Sequence, residues 1–396
     1  MAYGDDELAF RRMIWVLWGL SMAFPLAGMV MLAMDPSLGQ IFYGAPARPG
    51  LVHLLTLGGV LGCFHALYAV WLRRLYGVCR WQDRLLPWLA GLHGTGVAVL
   101  AAGFMAQDAL WLYVGGHYLV PMGVGAAAVT GVLASWQREP GLPRNLLAHL
   151  PLAGLFVTAG FGVMMVTVVF KGGYHFEFPH AVLMHALSAG FLFALPLLMV
   201  ADRMEDGQVN PRLGGVLWST LPGGLGVVVM AVGLWAQPAA PWYQAGLGLA
   251  ALGAVLAARP RAADVQPLRS FQRLPWLAVA VMLVFAAISL SDDIAPDGAY
   301  TLSFFIITLM LLGVVLPPLM LHGWALPRGQ APFVYPWEPG LYALMQWTGT
   351  GMVLAGQTTG MGGLIRSGGV FWAAALGAMA WRTLDSAGIK IRRRWL

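Results

Sequence analysis

Apolar residues run almost uninterrupted through twelve stretches of this chain: 13–33, 51–72, 85–106, 112–135, 146–170, 180–201, 214–236, 242–258, 274–290, 302–324, 341–357 and 367–384. A helix needs about 20 such residues to cross the hydrocarbon of a bilayer. Each stretch therefore predicts a spanning helix, the eighth and ninth being the shortest. The polar breaks between them are brief. Two have a character of their own: Lys171-Gly172-Gly173-Tyr174-His175-Phe176-Glu177-Phe178-Pro179-His180, and the proline-rich 325–340 with Pro327, Pro332, Pro336 and Pro339.

Composition agrees with this pattern. Of 396 residues, 59% are hydrophobic and 10% charged, against roughly 25% charged in a soluble domain. Such a chain cannot clothe a water-facing surface of its own size. The expected fold is all-α: a polytopic membrane helix bundle of about twelve transmembrane helices. It forms one integral membrane domain over 1–396, with helices 1–6 within 13–201 and helices 7–12 within 214–384.

Charge orients the helices. Lys and Arg collect on the cytoplasmic side of spanning segments. With the N-terminus inside, every basic residue except Arg48, Lys171 and Arg366 falls in an inside segment, out of 23 in all. One miscounted helix would invert every later loop, so the pattern predicts both termini in the cytoplasm. The net charge of +6 then reads as topology. Nucleic-acid binding needs a contiguous basic surface, which charges dealt out between apolar spans do not make. The C-terminal Lys390, Arg392, Arg393 and Arg394 suit anionic lipid headgroups. Cys63 falls in a span and Cys79 in an inside loop, so no disulfide framework is offered. Asp5, Asp6 and Glu7 open the chain, and no small-residue cleavage site follows the first apolar run, which is expected to remain as helix 1.

Histidine supplies the candidate chemistry, because the spans contain essentially no Asp, Glu, Lys or Arg. Eight of nine histidines lie between His53 and His185, and only His322 follows. An ionisable side chain inside a bilayer is costly and marks function by default. Helices 2, 4 and 6 all run from outside to inside, and each carries a histidine in its first two turns: His53, His117 and His185. The helical rise puts these three at one depth, with His175 and His180 just above. His65 lies about 18 Å below His53, so those two cannot share a metal ion. His93, near mid-membrane on helix 3, could face either group. His149 and His322 lie toward the cytoplasm.

Imidazole is the commonest transition-metal ligand and a usual axial ligand of haem iron, and helix bundles build cofactor sites from facing helices. A single membrane histidine is more often a packing residue; three at one depth shift the balance toward a metal or haem. Glycines beside them, Gly58, Gly59 and Gly62 after His53, Gly115 and Gly116 before His117, and Gly190 after His185, suit either close helix approach or a flat ring laid on a helix. Small residues serve ordinary membrane packing too.

The stretch Arg48-Pro49-Gly50-Leu51-Val52-His53-Leu54-Leu55-Thr56-Leu57-Gly58-Gly59, continuing to Ala66-Leu67-Tyr68, resembles helix 2 of haem-copper oxidase superfamily catalytic subunits. Tyr113-Val114-Gly115-Gly116-His117 and Gly172-Gly173-Tyr174-His175 extend the resemblance, which covers about 45–205. In plan the chain is also similar to the NnrS family of twelve-helix haem and copper proteins. The resemblance implies His53 as an axial haem ligand and places His117 and His175 where the family carries ligands of the active-site metal. Helix 6 has no adjacent His-His pair after it, and 302–324 lacks a His-x-His pair, so a standard oxygen-reducing centre is not implied.

The expectation is a membrane haem protein of the b type, with copper as the candidate second metal, acting in electron transfer or in nitric oxide or oxygen handling as a candidate oxidoreductase. Cofactor ligands are His53, His185 and His117; metal ligands are His117, His175 and His180. Its surroundings are the lipid bilayer, in the bacterial inner (cytoplasmic) membrane, and a redox partner subunit or electron donor, with no nucleic acid. Two rivals stand beside it. A secondary transporter would suit Pro25, Pro121, Pro196 and Pro317-Pro318 but lacks charged residues in its spans and a repeat between halves. A non-catalytic anchor subunit of a redox complex would suit the second half, which reads as packing, with Gln346, Gln357, Thr358 and Thr359 its polar exceptions.

Overall fold

The computed structural model describes residues 5–39, 48–76, 80–136 and 337–386, with scattered positions between 222 and 252. Every regular element among the described residues is helical. Helix α1 spans Asp5–Met34. Residues 48–76 form one continuous rod of α2 (Arg48–His53), a π-helical segment π1 (Leu54–Leu61) and α3 (Gly62–Tyr76). Helix α4 (Arg80–Ala106) returns alongside it. A second composite rod joins α5 (Ala109–Tyr113), π2 (Val114–Leu119) and α6 (Val120–Trp136). Helices α7 (Glu338–Thr359) and α8 (Gly362–Ser386) make a hairpin.

The helices begin before the apolar stretches and, except for α4, end after them, because local chemistry rather than hydropathy stops them. After α1, the Asp35 carboxylate accepts from Ser37 N at 3.0 Å and Ser37 Oγ at 2.6 Å, and Pro36 cannot continue the helix. Between α4 and α5 only Gln107 and Asp108 intervene. Gln107 takes φ 54°, and the Asp108 carboxylate caps the next helix by accepting from Trp111 N at 3.1 Å. Between α7 and α8, Gly360 takes φ +71°, the left-handed cap that glycine adopts without penalty.

Three of these helices, over Ala9–Met34, Arg80–Ala106 and Gly362–Arg382, are long and apolar enough to cross a membrane. Large apolar side chains on α4 and α7, Trp88, Leu344 and Trp347 among them, stand exposed, which fits lipid better than water.

Packing centres on α1, which touches residues 48–76, α4 and α8. Small residues permit the approach, the usual device where lipid removes the hydrophobic drive between helices. A Cβ at Gly58 would collide with Phe24, and one at Gly28 would meet Leu51 Cδ1 at 3.0 Å. At the far end of α1, a Cβ on Gly369 of α8 would lie 3.1 Å from Ala33 N, and the Gln357 side-chain amide donates to the Gly39 carbonyl. Ion pairs gather at the opposite end. Arg73 pairs with Asp83 at 2.6 Å and lies over the Phe10 ring at 4.1 Å, and Arg382 pairs with Glu338 at 2.6 Å. The start of α1, the end of α3, the start of α4 and the end of α8 therefore share one basic end.

Candidate functional site

Two sets of histidines can be placed. The first was not grouped by spacing along one helix. His65 stands 11 residues before the end of α3 at Tyr76, and His93 stands 13 after the start of α4 at Arg80. With α4 returning alongside α3, these positions meet. The imidazole centres are 5.1 Å apart with planes at 65°, and each residue is 1% exposed.

The His93 ring is held in one orientation. It hydrogen-bonds the Gly58 backbone of π1, an acceptor that fixes the proton on Nδ1. Its Nε2 is buried and finds no hydrogen-bond partner among the described residues. Gly62 makes the room: a Cβ there would collide with Ser21 Oγ and come within 2.9 Å of His93 Nε2. Ser21 itself donates to the Leu17 carbonyl at 2.6 Å and is in hydrogen-bonding contact with the buried thiol of Cys63. The pair thus sits in a small polar pocket between α1, α3 and α4. No Asp, Glu, Lys or Arg occurs in 13–33, 51–72 or 85–106, the stretches that surround it.

The second set contains the ligands expected from sequence. His53 ends α2 where the rod widens into π1. It is 5% exposed and stacks on Phe104 of α4, with centres 4.7 Å apart and planes at 21°. Gly50, one turn earlier, brings the backbones together, its Cβ position 3.1 Å from the Ala101 carbonyl oxygen. His117 lies in π2. Immediately before it, Gly115 has its Cβ position 2.5 Å from Leu100 N, and Gly116 has its own 3.2 Å from Leu100 Cδ1. The two rods therefore pack on neighbouring turns of α4, the first through Gly50 and His53 at Ala101–Phe104 and the second, next to His117, through Gly115 and Gly116 at Leu100. Tyr113 and Tyr118 mark the exposed side of π2, their hydroxyls 3.0 Å apart.

Both rods turn π-helical beside their histidine, and both π segments hold an adjacent glycine pair, Gly58-Gly59 and Gly115-Gly116. Glycine lowers the cost of departing from α torsions, yet Gly368-Gly369 in α8 remains α-helical. The pair permits the widening and does not dictate it. π segments recur at functional sites. The glycines themselves are filled by protein: Phe24 at Gly58, Ser21 and His93 at Gly62, Leu100 at Gly115. They serve close helix approach, and no flat ring lies on those faces.

His185, the expected partner of His53, and the metal candidates His175 and His180 lie outside the described residues, as do His149, His322 and Cys79. Among the described residues, no group of three or more His, Cys, Asp or Glu side chains assembles. The polar residues of the second half serve packing where described. Trp372 Nε1 donates to the Gln346 carbonyl and to Thr350 Oγ1, each at 3.2 Å. No protein-family model matches this chain, and no curated protein matches it.

Proposed function

We propose that this chain is a twelve-span inner-membrane haem protein with both ends in the cytoplasm, carrying electrons or handling nitric oxide or oxygen. The observation that supports the reading best is that the rods bearing His53 and His117 pack on neighbouring turns of α4, His53 just before one π segment and His117 within the other. Ligands on different helices must share a depth to share a cofactor region. The basic end shared by α1, α3, α4 and α8 agrees with a cytoplasmic face there.

The residues present fit an axial ligand. His53 is buried, and stacking on Phe104 holds its ring in one plane. An uncharged, water-poor surround favours the neutral imidazole that iron binds. The haem would lie against a face of the 48–76 rod other than those closed by Phe24 and Ser21. His185 is the proposed second ligand. His117, with His175 and His180, is proposed to hold a second metal, copper. A haem iron, when bound, supplies one-electron transfer or diatomic-gas binding, tuned by its axial ligands and burial. The contribution of Phe104 is to fix the His53 ring and exclude water from one side of it.

The test is the visible spectrum of detergent-purified protein, oxidised and then dithionite-reduced, with iron measured on the same sample. A sharp reduced band that disappears in His53→Ala and survives in His322→Ala is the expected result. Folded protein expressed with haem available yet without iron, or a His53→Ala spectrum identical to wild type, overturns the reading.

A further inference from the structure

The pocket between α1, α3 and α4 has no part in the haem reading, and His65 and His93 within it need their own account. Two imidazoles bound to one ion at metal–nitrogen distances of about 2.0 Å have ring centres roughly 5 to 6 Å apart, for bond angles from tetrahedral to linear. The observed 5.1 Å matches the bent end of that range, and a near-linear pair needs the rings to part by about 1 Å. His93 is also prepared as a ligand. A metal-binding histidine characteristically donates its other N–H to a backbone carbonyl, which fixes the tautomer and leaves the ligating lone pair bare. The Gly58 backbone takes that role here, and Nε2 is the buried nitrogen left over.

The geometry points to a low-coordinate site for a soft monovalent metal ion, Cu(I), held by His65 and His93 in the core of the membrane. Three features select this ion class. Two strong ligands suit Cu(I), which accepts low coordination numbers, whereas Zn²⁺ takes three or four protein ligands, and no third His, Cys, Asp or Glu joins the pair among the described residues. Imidazole is a good donor to copper. The third feature is charge. Both ligands are neutral and no carboxylate is within the surrounding spans. The Born cost of burying an ion grows with the square of its charge, so a divalent ion would cost about fourfold more than a monovalent one of similar size. Ser21 and Gly62 shape the pocket: the serine fills the side toward α1, and any side chain larger than hydrogen at 62 would press on Nε2.

The test uses the full chain in detergent, titrated anaerobically with Cu(I) supplied as its bicinchoninate complex under ascorbate. In a His117→Ala/His175→Ala/His180→Ala background, which removes the proposed outer copper site, the chain with and without His53→Ala should take one equivalent that added His65→Ala or His93→Ala fails to retain, with at least a hundredfold weaker competition against the chelator in each. X-ray absorption on the His117→Ala/His175→Ala/His180→Ala chain loaded with one equivalent of copper should show two imidazole ligands. Zn²⁺ added at the same concentration should not displace the copper. Copper uptake no greater than in the His65→Ala/His93→Ala double variant overturns the site, as does a copper spectrum without imidazole scattering. Displacement by Zn²⁺ overturns the monovalent assignment. Because His53→Ala retains copper in the expected outcome, failure of the haem reading and failure of this one register separately.

Discussion

Two hairpins of the molecule fill their interfaces with different polar chemistry. In α7–α8 the backbones touch. Gly349 and Gly368 face each other so closely that a Cβ on either would strike the other's carbonyl oxygen, at 2.9 and 2.6 Å. The polar side chains there bond to one another or to backbone: Thr350 Oγ1 donates to the Gln346 carbonyl at 2.8 Å, and Trp372 reaches both residues. Between residues 48–76 and α4, imidazoles fill the space, and one of them keeps a buried nitrogen that no described residue satisfies. Gln346 also retains an unsatisfied amide oxygen, but an amide oxygen is a poor ligand for a soft metal. A polar atom withheld from both water and protein costs free energy. Both hairpins keep such atoms, Gln346 Oε1 and Gln357 Oε1 in α7 and His93 Nε2 in α4, and what sets the second apart is that its atom is an imidazole nitrogen, a donor suited to a transition metal.

The largest effect should come from the ion pair that closes the C-terminal hairpin. Arg382 donates to both carboxylate oxygens of Glu338, at 2.6 and 3.3 Å, and the Glu338 side chain is only 8% exposed. Removing one partner of a buried pair strands the other charge, at a cost of about 3 kcal/mol. Glu338→Ala should therefore lower stability in detergent unfolding by about that amount. Asp83→Ala should cost less, because Asp83 is more exposed and Arg73 keeps its contact with Phe10. Equal losses in the two variants would remove the distinction between a buried and a half-exposed pair.

Next in size is the glycine at the closest backbone approach. Gly115→Ala places a Cβ against the backbone of Leu100, where nothing can rotate away, and should destabilise by about 2 kcal/mol. Gly125, in α6, has nothing within 4 Å of its Cβ position. Gly125→Ala should gain a few tenths to about 1 kcal/mol from helix propensity alone. If both substitutions are neutral, π2 does not press on α4 as described.

How much of this was legible in the sequence follows from what each feature depends on. Helical character was legible, because unbroken apolar runs admit little else in a bilayer. Helix ends were not, since they rest on single residues: Asp108 as a cap, Gln107 and Gly360 with positive φ. The similar depth expected of His53 and His117 rests on helical rise and orientation, and of it the structure describes only that their two rods pack on neighbouring turns of α4. The His65–His93 pair was left open, because spacing along one helix parted His65 from His53 and let His93 face either group. Reckoned from the end of α3 and the start of α4, 11 residues back and 13 forward, the two meet, and that signal was present in the spacing. The π segments were not readable, since the same glycine pair stays α-helical at Gly368-Gly369. Glu338 was passed over because a lone carboxylate at the edge of a proline-rich loop looks solvated until Arg382 is brought to it.

A smaller effect separates the hairpins by their polar chemistry. Thr350→Val removes one interhelical hydrogen bond and one donation to backbone, while Trp372 Nε1 keeps the Gln346 carbonyl. Bonds of this kind in membrane helices average about 0.6 kcal/mol, and thermal unfolding of the variant should register a loss of that order. A loss above about 2 kcal/mol would mean the network is cooperative rather than a set of pairs.

The smallest expected change carries the comparison furthest. His93→Leu exchanges a buried ring with an unsatisfied nitrogen for an apolar side chain in the same pocket. The Gly58 carbonyl loses the imidazole donor but stays in the backbone hydrogen-bonding of a helix. Replacing an unsatisfied polar group by an apolar one of similar shape is close to neutral, so metal-free His93→Leu should unfold within about 0.5 kcal/mol of wild type. A histidine placed for packing would behave otherwise: like Thr350, it would lose stability when its polar atoms are removed. If His93→Leu costs 2 kcal/mol or more in metal-free protein, the imidazole is structural and the two hairpins differ only in detail. If it costs nothing, the residue does not stabilise the fold, and its retained nitrogen is accounted for by a ligand.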